Sequence, residues 1–266
     1  ASEHDEKDHQ NRQLAVCSLH AQPVSESPPQ PMMEVPVPDH LKELFNSTTE
    51  CLDSVHHRHL ANLLSTHADL FARSSIDLGC TNLIEHVIDT GDARPIKQPP
   101  RRPPVSLQVE EENILEDQLE AGVIQESTSP WASPLVYVRK KDGTIRPCVD
   151  YRRVNDVTRK DAYPLPRIDA CLDCLGGATC FSTLDLQSGY WQIKVRKEDR
   201  PKTAFVTRSG LYEYLKMPFG LATAPSTFER CMEQVMRGLQ WKTLLVYLDD
   251  VIIYSPDVKT HIPRLA

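Results

Sequence analysis

No stretch of this sequence is long and apolar enough to cross a bilayer, and no cleavable apolar leader opens it. Neither a membrane helix nor a secretory signal is expected. The eight cysteines are irregularly spaced, which without a signal peptide points to reduced thiols rather than a disulfide framework. Cys171 and Cys174 have the spacing of half a zinc knuckle, but no second pair follows at a suitable distance. Buried or half-buried thiols are the expectation there. Also missing is the overall positive charge of a nucleic-acid binder, since the formal net charge is −7. The distribution reverses that inference. Residues 1–92 hold 5 Lys and Arg against 15 Asp and Glu, whereas residues 93–266 hold 25 against 22. Within the latter, residues 127–160 carry 8 basic and 3 acidic side chains, and phosphate contacts are expected there.

Residues 1–38 mix charge, Ser, Gln and prolines without apolar periodicity and are expected to form a disordered linker. In residues 39–92, Leu41, Leu44 and Phe45, then Leu60, Leu63, Leu64, Leu70 and Phe71, recur at helical spacing. They predict two short amphipathic helices, with Asp39 and Ser54 as N-caps. Asp89-Thr90-Gly91 matches the aspartic-protease triplet, but Pro95, Pro99, Pro100, Pro103 and Pro104 follow where such an enzyme needs hairpins. A helix is predicted over residues 107–121, stopped by Gly122. The runs 135–138 and 145–151 flank Asp142-Gly143 and predict a hairpin with a basic loop.

The strongest chemical signal is Leu244-Leu245-Val246-Tyr247-Leu248-Asp249-Asp250-Val251-Ile252-Ile253-Tyr254, in which two carboxylates interrupt β-prone apolar runs. Burial of ionised carboxylates is costly unless a cation binds them, so a hairpin tip holding a hard divalent ion is expected. Asp185 ends another short apolar strand, Phe181-Ser182-Thr183-Leu184. Carboxylates on separate strand ends suit a pair of ions roughly 3.5–4 Å apart, the arrangement that serves in-line phosphoryl transfer.

Tyr247-Leu248-Asp249-Asp250 resembles the Tyr-x-Asp-Asp box of reverse transcriptases, and Asp185 sits where their first catalytic aspartate does. Between them, Leu215-Lys216-Met217-Pro218-Phe219-Gly220-Leu221-Ala222-Thr223-Ala224-Pro225-Ser226-Thr227-Phe228 is similar to the nucleotide-side loop and helix of gypsy-like LTR retrotransposons. The resemblance runs from about Leu83 to the last residue. It implies an α+β right-hand polymerase fold over 93–266, with fingers at about 93–162 and 194–222 and palm at about 163–193 and 223–266, truncated before the thumb. Residues 39–92 resemble the helical spacer between protease and polymerase. With no further strands after Tyr254, the second hairpin strand is expected to be an apolar sheet edge.

The resemblance also implies roles. Asp185, Asp249 and Asp250 form the catalytic, metal-binding set for two Mg²⁺ ions, with Mn²⁺ as a substitute and the Leu186 carbonyl as an extra ligand. Lys140 and Arg146 resemble fingers residues that grip the triphosphate, for which a point charge and a bidentate fork are suited. Tyr190 would lie under the incoming sugar, excluding a 2′-hydroxyl, and Phe219, Gly220 and Pro225 would shape the nucleotide pocket. Phe219 stands where retroviral enzymes usually carry Gln, a departure ordinary within the gypsy group. The implied partners are an RNA or DNA template with its primer, deoxynucleoside triphosphates and the rest of a Pol polyprotein bearing protease, ribonuclease H and integrase, with no membrane and the oligomeric state left open. Cytoplasmic virus-like particles with nuclear passage are the expected setting. The alternatives are a palm polymerase that makes RNA, and a decayed or domesticated fragment that binds nucleic acid without turnover.

Overall fold

The computed structural model describes residues 36–49, 52–74, 77–102, 104, 107–139, 145–164 and 166–266; the expected linker up to residue 35 and the hairpin loop at 140–144, with Lys140, lie outside them. Along the chain come α1 (Lys42–Thr49), α2 (Ser54–Thr66), β1 (Thr81–His86), α3 (Gln108–Glu120), β2 (Ile124–Glu126), β3 (Ser133–Arg139), β4 (Ile145–Val149), α4 (Arg152–Val157) and α5 (Ile168–Cys174). There follow β5 (Cys180–Asp185), β6 (Ile193–Val195), β7 (Phe205–Val206), β8 (Leu211–Tyr214), α6 (Ala224–Val235), β9 (Leu244–Tyr247), β10 (Asp250–Ser255) and α7 (Val258–Leu265). They form two compact units: one from the described residues up to Arg73 with Pro166–Leu186 and Val235–Ala266, the other from Ser74–Leu165 and Gln187–Gln234.

In the first unit the two predicted N-terminal helices form, and Leu41, Leu44, Leu60 and Leu64 close a small core against Phe45, Leu63 and Phe71. The cap of α2 is Asp53 rather than Ser54, because its carboxylate accepts from the Val55 and His56 N–H groups at 3.0 and 2.9 Å. A carboxylate there also meets the positive end of the helix dipole. Asp39 opens a 3₁₀ turn instead of capping, with Pro38 before it making no side-chain cap bond. The sheet of this unit runs β5-β10-β9, antiparallel throughout. The second hairpin strand is therefore central, not an edge as expected: β5 supplies the neighbour that its local sequence could not reveal. α7 packs on β10 and β5, and α2 on α7.

The second unit carries a five-stranded sheet, β2-β8-β7-β3-β4, and a parallel pair, β1-β6. The predicted hairpin is present, with Leu135 opposite Val149 and Val138 opposite Arg146. Pro147 lies on β4, at the end of the strand order, where a missing N–H costs no ladder bond. Tyr151, Phe205, Met217 and Val154 are among its largest buried side chains, and the Tyr151 hydroxyl donates to the Thr203 carbonyl at 2.7 Å. α3 packs on the sheet through Leu115, and its Glu111 accepts a hydrogen bond from Tyr137. Gly122 ends that segment at a φ of 62°, the left-handed conformation that glycine takes without strain.

One element differs from expectation. β1 lies inside the stretch read as a helical spacer, its partner β6 being more than 100 residues away and invisible to local periodicity. Helix α6 lies in the second unit, where His86 at the end of β1 meets Thr227 on α6 at 2.9 Å.

That His86 is fully buried, and its Nε2 has no hydrogen-bond partner among the described residues. Burial lowers its pKa to about 4, with Asp199 pulling in the opposite direction. A folded-state value below the unfolded one means that the unfolded chain binds more protons, so stability is lost as pH falls from about 6.5 towards 4. Denaturant unfolding of wild type against His86→Gln is expected to show a pH-dependent difference on the order of 3 kcal/mol across that window. Parallel pH profiles for the two would contradict this role.

Candidate active site

β5 and β10 set the geometry. In their antiparallel register Asp250 lies directly opposite Asp185, and Val251, Ile252 and Ile253 face Leu184, Thr183 and Ser182. Tyr247 pairs with Asp250 across β9-β10, leaving Leu248 and Asp249 as a two-residue hairpin loop. Such loops favour positive φ because its twist matches that of the strands, and ordinarily take glycine or asparagine there. Here Leu248 has a φ of 55°, a conformation that costs a side chain about 1–3 kcal/mol. The buried Leu244, Leu245, Val246, Val251 and Ile253 hold the strands firmly enough to impose it.

All three aspartates thus gather at one end of one small sheet, on two neighbouring strands and their connecting turn. Their setting corrects one premise: Asp185 and Asp249 are exposed and Asp250 is half-buried, so desolvation is not what makes the cluster costly. Cross-strand repulsion is. Directly opposed side chains have Cβ atoms about 4.5–5.5 Å apart, and like charges there destabilise the pair. Among the described residues no three His, Cys, Asp or Glu side chains form a ready metal cage. Mg²⁺ does not require one, since it is typically held by one or two carboxylates, retained waters and substrate phosphates. The donor set is all oxygen, acidic and accessible, and so fits such an ion. Leu186 follows β5 immediately and is half-buried.

The remaining expected residues belong to the second unit. Tyr190 sits in a 3₁₀ turn, Gly189–Gln192, introduced by Ser188 in the left-handed region. Its ring stacks on Phe219 with centroids 4.8 Å apart and tilts against Phe228 at 5.1 Å, while Trp191 meets Phe219 edge-on. Tyr190 is therefore half-buried in an aromatic layer whose outer member, Phe219, is exposed. Gly220 has a φ of 92°, and a Cβ there would lie 3.5 Å from the Val149 carbonyl oxygen. Pro225 falls in the first turn of α6, where its missing N–H costs nothing. Arg146 lies on β4, opposite Val138.

Two features escaped the sequence reading. Asn155 on α4 donates to the Gly220 carbonyl and accepts from the Ala222 N–H, both at 2.9 Å, and so fixes the 219–222 loop. An open cleft of about 470 Å³ is lined by Gln98, Arg101, Asp150, Arg152, Arg153 and Asn155 among others. In it Arg152 and Arg101 both grip Asp150. Hydrogen bonds from Arg152 are the main cause of lowering the Asp150 carboxyl to about 2. The basic cluster at 127–160 foreshadowed this cleft, although neither the pairing nor Arg101 was legible.

Residues 138–265 match the family described as "Reverse transcriptase (RNA-dependent DNA polymerase)". The chain is 41% identical over 208 residues to the Retrovirus-related Pol polyprotein from transposon 297 of Drosophila melanogaster, covering 76% of this chain and 20% of that protein. To the polyprotein of transposon opus from the same organism it is 36% identical over 236 residues, 87% of this chain and 22% of the relative. The chain thus spans about a fifth of the length of these relatives. Among solved structures, a foamy viral protease-reverse transcriptase in complex with RNA/DNA hybrid superposes with a TM-score of 0.75 at 24% identity, covering 91% of this chain and 32% of that one. Another, in complex with double-stranded DNA, gives 0.75 at 25% identity and covers 90% and 42%. The fold is accordingly that of the reverse transcriptase polymerase, and residues 138–265 carry the match to the reverse transcriptase family, which this chain shares with retrotransposon Pol polyproteins.

Proposed function

We propose that this chain supplies the nucleotide-adding site of a retrotransposon Pol polyprotein, extending a primer 3′-hydroxyl with deoxynucleotides on an RNA or DNA template and releasing pyrophosphate. One observation carries the reading: the β5–β10 register that sets Asp185 opposite Asp250, with Asp249 on the adjoining turn. Asp185 and Asp249 would hold two divalent ions, Mg²⁺ or Mn²⁺, with Asp250 and the Leu186 carbonyl in support. The chemistry such ions would supply there is activation of the attacking hydroxyl and stabilisation of the leaving oxygen. The protein then needs no nucleophile or proton-transfer residue of its own, only placement. Similar foamy viral enzymes were solved with an RNA/DNA hybrid and with double-stranded DNA, which supports a nucleic-acid partner. So does the arginine-lined cleft, whose guanidiniums suit backbone phosphates. Lys140 and Arg146 are assigned to the triphosphate, and Tyr190, backed by Phe219 and Phe228, to the sugar; Gly220 and Pro225 shape the loop beside it.

In primer extension by the Pol protein that carries this chain, Asp185→Asn and Asp249→Asn are each expected to remove nearly all incorporation while primer-template binding persists. Near-wild-type extension by either variant would overturn the metal assignment. Tyr190→Val is expected to admit ribonucleotides by opening the 2′ side of the pocket. Measured as the ratio of kcat/KM for deoxy- over ribonucleotides, discrimination is expected to drop at least tenfold, about 1.4 kcal/mol. An unchanged ratio would return Tyr190 to a purely packing role.

A further inference from the structure

The sheet that carries the aspartates has a second face. Side chains alternate along a strand, so Asp185 and Asp250 project to one side while Ser182 on β5 and Ser255 on β10 project to the other. α7 covers that other side. From it His261, only 4% exposed, reaches both strands: its Nε2 lies 2.8 Å from Ser182 Oγ and its Nδ1 2.8 Å from Ser255 Oγ. Both serines are themselves fully buried.

The direction of these bonds follows from proton counting. Ser255 Oγ donates its one proton to the Asp257 carbonyl at 2.9 Å, so it must accept from His261 Nδ1–H. Nε2 is then the unprotonated nitrogen and accepts from the Ser182 hydroxyl. The result is a single directed chain, from Ser182 through His261 and Ser255 to the Asp257 carbonyl, that crosses from β5 to β10. Burial, and then the positive Arg264, lower the imidazole pKa and keep it in the neutral form that this direction requires. Arg264 also donates to the Tyr254 carbonyl on β10, so α7 grips the sheet at a second point.

We propose that His261 is a positioning residue for the catalytic carboxylates, joining β5 to β10 on the covered face and so fixing the separation of Asp185 and Asp250 on the open one. The inference rests on the metal-binding reading above. Two directly opposed carboxylates tend to push their strands apart, against the ladder bonds and apolar contacts that hold the register. A buried three-centre bridge behind the pair opposes that spreading, so that the ligands stand ready for an ion. Groups that support metal ligands from behind commonly change ion affinity by about 10- to 100-fold.

The test uses the full 266-residue chain, with Mn²⁺ as the probe, titrated by calorimetry or electron paramagnetic resonance, and with thermal unfolding measured in parallel. Ser182→Ala, Ser255→Ala and His261→Gln are each expected to weaken Mn²⁺ binding roughly tenfold. Because a bridge fails when either end is cut, the Ser182→Ala/Ser255→Ala double variant should bind no more weakly than the singles. If His261→Gln does not fold, the two serine variants and their combination still decide the matter. Variants that lose Tm yet keep wild-type Mn²⁺ affinity, or serine effects that simply add, would show a structural role only and overturn the inference. Asp185→Asn separates the two levels. If it abolishes Mn²⁺ binding while the serine variants do not alter it, the metal reading stands and the positioning role falls. If it leaves Mn²⁺ binding intact, both fall.

Discussion

Two carboxylates held directly opposite each other across an antiparallel ladder repel, and the aspartate end of the sheet answers to that repulsion. The β5–β10 register creates it by pairing Asp185 with Asp250. The apolar side chains of β9 and β10 hold the sheet together in spite of it, and the strained Leu248 turn adds Asp249 to the charge at the same end. On the proposed reading, a divalent cation would convert the cost into binding energy. The charge cluster is tolerable in the folded protein because it is small, accessible and backed by a buried hydrophobic sheet.

How much of this could be read from the chain depended on contrast. Asp249 and Asp250 were legible because two charges interrupt a run of nine aliphatic and aromatic residues, and Asp185 because it terminates a short apolar strand. The hairpin of β3 and β4 and the stop at Gly122 were legible because turn chemistry is local. What failed was non-local. β10 was expected at an edge, because its partner β5 lies some 70 residues upstream and nothing in either strand announces the pairing. The same reason hid β1, whose partner β6 is more remote still, over 100 residues downstream. The premise of buried carboxylates failed for a different cause: apolar flanks bury the strands but not the turn that joins them.

Asn155 and His261 were missed because an isolated polar residue in a short helix is indistinguishable from surface decoration until its partners are known. Each proves to hold another element, Asn155 the Gly220–Ala222 loop and His261 the two strands beneath the aspartates. In both cases a buried or loop-facing polar group is satisfied at both of its hydrogen-bonding ends, which is the arrangement that fixes a geometry rather than merely filling space. Positioning of this kind would suit the proposed reaction, in which the chain contributes no nucleophile and a displacement of about 1 Å can cost roughly a hundredfold in rate.

The central claim, that opposed Asp185 and Asp250 are destabilising until a divalent ion joins them, is tested most directly by thermal unfolding of the chain and of Asp250→Asn, each with excess Mg²⁺ and with a chelator. The account predicts that the variant is at least as stable as wild type in chelator, that Mg²⁺ raises the Tm of wild type through its preferential binding to the folded state, and that the variant loses most of that rise. A variant less stable than wild type in chelator, or one that keeps the full Mg²⁺-dependent rise, would contradict it.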